Sequence, residues 1–273
     1  MFKYSRSSNS LSNGLITLEL IYHYAVRNVR AGHQYAVVAI AIAMLQIFTL
    51  VVVFYLMFSV LGLRGSAIRG DFLLYLMSGI FVYMTHIKIV SAVTGSDGPS
   101  SPMMQHARMN TAIAIFGSVL SALYTQILAM ALILFIYDAA FKEITIYRPV
   151  AAFAMLLLAG FYGFAVGMVF LAIKPWFPFF VGIAQPLYTR ANMIFSGKMF
   201  TANSLPSYLL PLFIWNPLFH CIDQARGFVF INYTPHRTSW EYALWVSLTL
   251  IALGFIGEFY TRKYASASWG ARR

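Results

Sequence analysis

LPSYLLPLFIWNPLFH, Leu205 to His220, is apolar yet carries Pro206, Pro211 and Pro217. Proline lacks a backbone donor and its ring clashes with the carbonyl four residues earlier, so no single helix runs through this stretch. It is also too short for an ordinary crossing, which needs roughly 20 residues to cover about 30 Å of hydrocarbon. Two short helices that dip in and return to the same side fit better. On both flanks lie long apolar runs, of which Ala36 to Leu63 holds no charged residue over 28 positions. The expected fold class is therefore an all-α polytopic membrane protein with six transmembrane helices, at 36–63, 72–93, 111–137, 150–173, 176–197 and 242–259. A re-entrant outer gate hairpin, 199–232, falls between spans five and six.

Composition agrees. The chain is 60% hydrophobic, 17% aromatic and 10% charged, against about 25% charged in soluble domains. Mean hydropathy is +0.72, which excludes a water-soluble reading. The single cysteine, Cys221, rules out an intrachain disulfide framework and a multi-cysteine metal site. Net charge is +11, but the basic residues stand singly between apolar runs, a pattern that sets membrane orientation and not nucleic-acid binding. Met1 to Asn13 is polar, and no cleavable signal peptide is legible after it.

Residues 1–13 read as a cytoplasmic tail and 14–32 as an amphipathic helix lying in the interface. Leu15, Leu18, Tyr22, Ala25 and Val29 share one face, while Glu19, His23 and Arg27 line another. Lys88 lies near one end of span two, where its ammonium reaches the headgroups. Residues 94–110, with the glycine, serine and proline punctuation of TGSDGPSSP followed by MMQHARMN, read as a loop with a short helix. Span five carries Pro178, Pro186 and Arg190, so kinks are expected there and Arg190 is expected to face protein or a wet cavity.

One side of this arrangement holds Lys3, Arg6, Arg27, Arg30, Arg108, Lys174, Arg262, Lys263, Arg272 and Arg273. The other holds Arg64, Arg69, Lys142, Arg148, Lys198, Arg226 and Arg237. By the positive-inside rule both termini and 94–110 are cytoplasmic, and the broken hairpin is outside.

No GxxxxGK[ST] phosphate loop, H-E-x-x-H zinc helix or G-x-S-x-G elbow occurs. His220 and Asp223, at i and i+3, could meet on one helix face as a metal or acid/base pair. Capping and interface roles explain the same two residues.

The N-terminal helix, six spans, linker after span two and SGKMFTANSLP…WNPLFHCIDQARGFVF together resemble the permease subunit of type-2 ABC exporters for polysaccharides, in particular the capsular polysaccharide and O-antigen permeases. The sharpest local part is Ser196 to Phe230, where Asn216-Pro217-Leu218 and Arg226 match the family's N-P-L…R pattern. The entry to span one, AGHQYAVVAIAIAML, lacks the tryptophan and proline that relatives often carry, and MMQHARMN replaces an F-P-R-like element.

The resemblance implies two copies of this subunit, two copies of a cytoplasmic ABC ATPase that binds ATP and Mg²⁺, and no catalysis or cofactor in this chain. It also implies the inner membrane of a diderm bacterium, with a periplasmic co-polymerase-like protein and an outer-membrane export protein as further partners. ATPase coupling would fall to Arg27, Arg30, Gln105, His106 and Arg108. A sugar chain would slide past Phe54, Tyr55, Phe58, Phe81, Tyr83, Phe180, Tyr188 and Arg190, although these rings equally suit lipid-facing or packing roles. Lys198, Asn216, Pro217, His220, Asp223 and Arg226 would form the outer gate, with Arg190, Lys198 and Arg226 as cationic partners for an acidic sugar or phosphate. Asn216 is expected to cap, and Pro217 to start, a short gate helix. An exporter of O-antigen, a teichoic-acid-like polymer, a lipid or a drug shares this plan. The readings from other classes are an intramembrane enzyme acting on lipid-linked sugars through His220, Asp223 or Glu241, and a passive membrane scaffold.

Overall fold

Two of the apolar runs are buried on most sides and the rest on one side only, and this asymmetry sets the architecture. The computed structural model describes residues 10–31, 36–62, 68, 71–96 and 111–264. They form α1 (Ser10–Ala31), α2 (Ala36–Val60), α3 (Phe72–Thr94), α4 (Thr111–Ala140), α5 (Pro149–Ile173), α6 (Pro178–Phe195), α7 (Leu210–Ile214), α8 (Pro217–Val229) and α9 (Trp240–Tyr264), with a 3-10 turn at Ala202–Ser204. No strand occurs among the described residues.

Five helices, α2, α3, α4, α5 and α9, are long and apolar enough to cross a membrane. The chain is thus an all-helical protein built to span a bilayer several times. The expected fifth crossing forms as α6, an 18-residue helix with Pro186 inside it. It falls outside that set because Gln185, Thr189, Arg190 and Asn192 dilute its apolar character. Helix α1 starts at Ser10 and not at 14, while α4 and α9 extend beyond the expected ends to Ala140 and Tyr264. Gln105, His106 and Arg108 lie outside the described residues, as do the first nine residues of the tail.

Within its most apolar window α3 is 83% buried and α5 61%, whereas α2, α4 and α9 lie between 11 and 22%. Helices α3 and α5 are therefore the interior pair. In hydrocarbon no hydrophobic force drives helices together, so close van der Waals packing through small residues must do it. Helix α5 supplies Gly160, Gly163 and Gly167 on its α3 face. A Cβ at Gly163 would stand 2.6 Å from the His86 carbonyl oxygen, and one at Gly167 2.7 Å from Val93 Cβ. On the other side of α5, Met168 Cβ lies 2.7 Å from where a Cβ of Gly254 on α9 would stand.

Helix α1 packs on α4 through Leu20, Ile21 and Tyr24 against Ile113 and Ala114. This packing face is not the stripe expected at the membrane interface. Ala25 is buried, but Leu15, Leu18 and Tyr22 stand exposed on the single chain. The cause is Gly117, whose missing side chain admits the Tyr24 ring, with Tyr24 Cδ1 2.6 Å from the absent Cβ. Asn28 Nδ2 donates to Ser118 Oγ (3.1 Å) at the same seam, and Glu19 and His23 pair at 3.6 Å on the outside.

The two ends of the bundle are closed by different chemistry. At one, the Lys174 ammonium donates to the Thr94 carbonyl at the end of α3 (2.8 Å), and Trp176 Nε1 donates to Thr261 on α9 (2.8 Å). At the other, Asp71 caps α3 by accepting from the Leu73 amide (2.8 Å) and also accepts from the Tyr137 hydroxyl of α4. The backbone of Tyr147 and Arg148 donates there to Val229 and Phe228 of α8 (3.1 and 2.8 Å), so the broken hairpin belongs to this second end.

Gly163→Val is expected to lower stability by about 1–3 kcal/mol through overpacking on α3. Gly182→Val, on α6 with nothing within 4 Å of its added Cβ, serves as the control and is expected to stay within about 0.5 kcal/mol of the parent. Thermal melting of the purified protein in detergent, read by size exclusion, distinguishes the two.

Candidate functional site

Between α6 and α9 the chain uses three prolines and a glycine to turn without leaving the protein. Gly197 has φ +69°, a left-handed conformation that glycine adopts without penalty. A side chain there would also collide with the Phe219 ring. Thr201 and Ser204 make reciprocal capping contacts around the 3-10 turn. Asn216 then caps α8 by accepting from the Leu218 amide (3.0 Å), and Pro217 occupies the first turn. The same Asn216 amide donates to Asn192 Oδ1 (2.8 Å) and to the Phe195 carbonyl (3.0 Å), tying the start of α8 to the end of α6.

Arg226 of α8 is 0% exposed. One guanidinium nitrogen donates to the carbonyls of Gly197 (2.9 Å) and Phe200 (2.6 Å), the other to that of Lys198. Its carbon lies 4.2 Å from the centre of the Tyr75 ring. Gly79 of α3 makes the space, since a Cβ there would approach the guanidinium to 2.7 Å and the Lys198 carbonyl oxygen to 2.9 Å. The Lys198 ammonium points the other way, over Tyr83 (3.7 Å) and Phe54 (5.0 Å). It is buried and has no hydrogen-bond partner among the described residues, so ring faces are what the structure offers its charge.

Asp223 and His220 face different partners and do not form a dyad. The Asp223 carboxylate accepts from the Ala202 amide (3.0 Å), the Tyr233 hydroxyl (2.6 Å) and the Thr238 hydroxyl (2.8 Å). Burial, reinforced by this carboxylate, pushes the Tyr233 hydroxyl well above the usual phenol range. His220 Nδ1 accepts from the Ser239 amide (3.0 Å), and Nε2 donates to the Ile214 carbonyl (2.8 Å). The imidazole is thus a neutral clip joining α7, α8 and the start of α9. Burial moves its pKa below the ordinary 6.5. Glu241 stands exposed in the first turn of α9. Among the described residues no group of three or more His, Cys, Asp or Glu could hold a metal ion.

A second polar cluster, absent from the sequence reading, lies inside the bundle. His86 of α3 is buried with Nδ1 3.1 Å from the Ala159 carbonyl and Nε2 2.9 Å from the Tyr188 hydroxyl. Tyr188 in turn lies 3.3 Å from the Tyr162 hydroxyl, and the Tyr162 ring stacks on the imidazole at 4.8 Å. A carbonyl only accepts, so Nδ1 carries a proton. The available signal was an ionisable residue inside an apolar span, which is a functional candidate by default.

The structure brings only part of the expected path together. Phe54, Phe81 and Tyr83 are packed in the core, while Tyr55 and Phe58 are half-buried against Phe72. Phe180 and Tyr188 line an open, almost wholly apolar groove of 460 Å³ along α6. Arg190, expected to face protein or a wet cavity, is turned away from the interior of this chain. It is exposed, because α6 buries only Val181 and Asn192 and turns its remaining faces outward. Arg27 and Arg30 are exposed on α1, Arg27 over the Tyr24 ring at 5.0 Å. No family model matches the chain, and no curated protein matches it.

Arg226→Met strands three backbone acceptors and is expected to cost about 3 kcal/mol or more. Gly79→Ala, which removes no polar group, is expected to lose about 1–3 kcal/mol by displacing the same guanidinium. Melting together with limited proteolysis of residues 197–205 reads both variants. For His220, a folded-state pKa below the unfolded one means that its stabilisation is present at neutral pH. That stabilisation declines as pH drops below 6.5 and is gone once the folded value is passed. A Tm-against-pH profile should show this acid-side loss, and His220→Gln should flatten it.

Proposed function

We propose that this chain is the membrane-spanning permease subunit of a type-2 ABC exporter that moves a capsular-type polysaccharide or a lipid-linked glycan across a bacterial inner membrane. The observation that carries the reading is the gate region. Helices α7 and α8 interrupt the bundle between α6 and α9, and a buried arginine and aspartate anchor α8 to the 197–202 turn. Irregular backbone at membrane depth is tolerated only where protein or a water-filled cavity satisfies it, which suits a transport path.

On this reading the hairpin end faces outward and both termini face the cytoplasm. The apolar stripe Leu15, Leu18 and Tyr22 rests in the interface, and α1 with 94–110 meets the ATPase. A second copy covers the outward faces of α2 and α6, two ATPase subunits supply ATP and Mg²⁺ chemistry from below, and periplasmic and outer-membrane export proteins continue the route. Helix α6 is the element best placed to shift during transport, since few of its side chains are buried. Its movement would uncover Tyr83 and Lys198 to a passing glycan. The intramembrane-enzyme reading has less support, because His220 and Asp223 spend their polar atoms on backbone and hydroxyl partners.

Affinity purification of the tagged protein from native membranes in mild detergent is expected to recover an equimolar Walker-motif ATPase. Deletion is expected to leave an unexported glycan inside the cell. Recovery of the chain alone, or with enzymes of lipid-linked sugar metabolism, would overturn the exporter reading.

A further inference from the structure

A cavity of 560 Å³ opens between α1, α2, α3 and α4 at the end of the bundle opposite the gate. For a site among membrane-crossing helices its lining is unusually polar. Ser118, Ser121 and Thr125 follow one another down one face of α4, opposite Gln46 of α2 and Lys88 of α3. Among the described residues of the lining, Lys88 is the only cation and no carboxylate accompanies it. The half-buried ammonium has no ion pair within 4 Å among the described residues. Deeper in α4, Gln126 also lines the cavity. It is 4% exposed, and its side-chain oxygen has no hydrogen-bond partner among the described residues.

These two groups ask for opposite things. An ammonium in a low-dielectric setting calls for an anion, and a buried amide oxygen left unpaired calls for a donor. A Cβ at Gly160 of α5 would meet both Ile89 of α3 (2.9 Å) and Leu123 of α4 (3.5 Å), so Lys88 and Gln126, one and three residues from that level, stand within about one helical turn of each other in depth. A ligand that satisfies both carries a negative charge and a hydroxyl group within about one helical turn of each other. It must also tolerate an apolar surround, since α2 and α4 turn most of their surface outward.

We propose that this cavity binds the headgroup of a phosphorylated lipid bearing free hydroxyls. The phosphate pairs with Lys88, and a headgroup hydroxyl donates to Gln126. The site is separate from the gate and from the His86 cluster, and it stands whether or not the chain belongs to an exporter. Two lipids share the chemistry, a bulk phospholipid such as phosphatidylglycerol and a polyprenyl-phosphate sugar.

The test is titration of the full-length protein in detergent with phosphatidylglycerol and, separately, with phosphatidylcholine, which lacks both net charge and hydroxyls, with bound lipid counted by native mass spectrometry. Phosphatidylglycerol is expected to bind about tenfold more tightly, the effect of one charge-assisted contact. Lys88→Met and Gln126→Leu should each erase that preference, and Lys142→Met, at the gate end, should keep it. Competition then identifies the occupant. Displacement of phosphatidylglycerol by a polyprenyl-phosphate sugar assigns the site to a lipid-linked glycan, and resistance to it assigns a bulk phospholipid. Equal binding of the two phospholipids by the parent protein overturns the proposal, and so does an undiminished preference in a folded Lys88→Met. Should Lys88→Met not fold, the parent's preference and the Gln126→Leu result decide.

Discussion

The Arg226 guanidinium sealed inside an apolar bundle is the constraint on which the α8 end of the molecule depends. An uncompensated buried charge costs several kcal/mol. The chain meets that cost with backbone. Carbonyls of Gly197, Lys198 and Phe200 converge on the side chain, and they can do so only because Gly197 takes a left-handed turn. Tyr75 lends its ring, and Gly79 leaves the hole. The path of 197–200, the seat of α8 and the approach of α3 are thus one solution to one electrostatic problem.

The same rule governs two more buried polar residues of α8. His220 and Asp223 are satisfied by local backbone and hydroxyl partners, which makes the gate helices a rigid block. Helix α6 is held differently. It meets the bundle through the Tyr188–His86 contact, a 3.3 Å bond from the Tyr83 hydroxyl to the Thr189 carbonyl, and the Asn192–Asn216 amide pair. A few polar tethers on an otherwise outward-facing helix are easier to exchange than the glycine-lined packing of α3 on α5. Rigid gate and loosely tethered helix therefore meet at Asn216, where a displacement of α6 would be felt first.

Much of this plan was legible in the sequence. Length and apolarity alone located the long helices, because a long unbroken apolar run satisfies its own backbone in a bilayer only as a helix and needs a minimum length to cross. Pro206, Pro211 and Pro217 announced that no single helix runs through 205–220, since a missing donor is a local fact. Asn216-Pro217 marked the start of α8 for the same reason. The face on which α1 packs was not legible. Its apolar periodicity pointed to Leu15 and Leu18, but the partner surface is chosen by Gly117, a residue 93 positions beyond Tyr24 in the chain.

The sequence by itself determined an all-helical membrane chain, the places where its helices break, and which residue types stand near each end. Tertiary structure alone decided which polar groups meet. His86 finds Tyr188 102 residues away, Arg226 finds Lys198 across 28, and Lys88 and Gln126 come to share one cavity. Helix formation and breakage depend on hydrogen bonds within four residues, so local sequence specifies them. The partner of a buried charge depends on how distant helices rotate and approach, and that is set by steric fit at glycines on several helices at once.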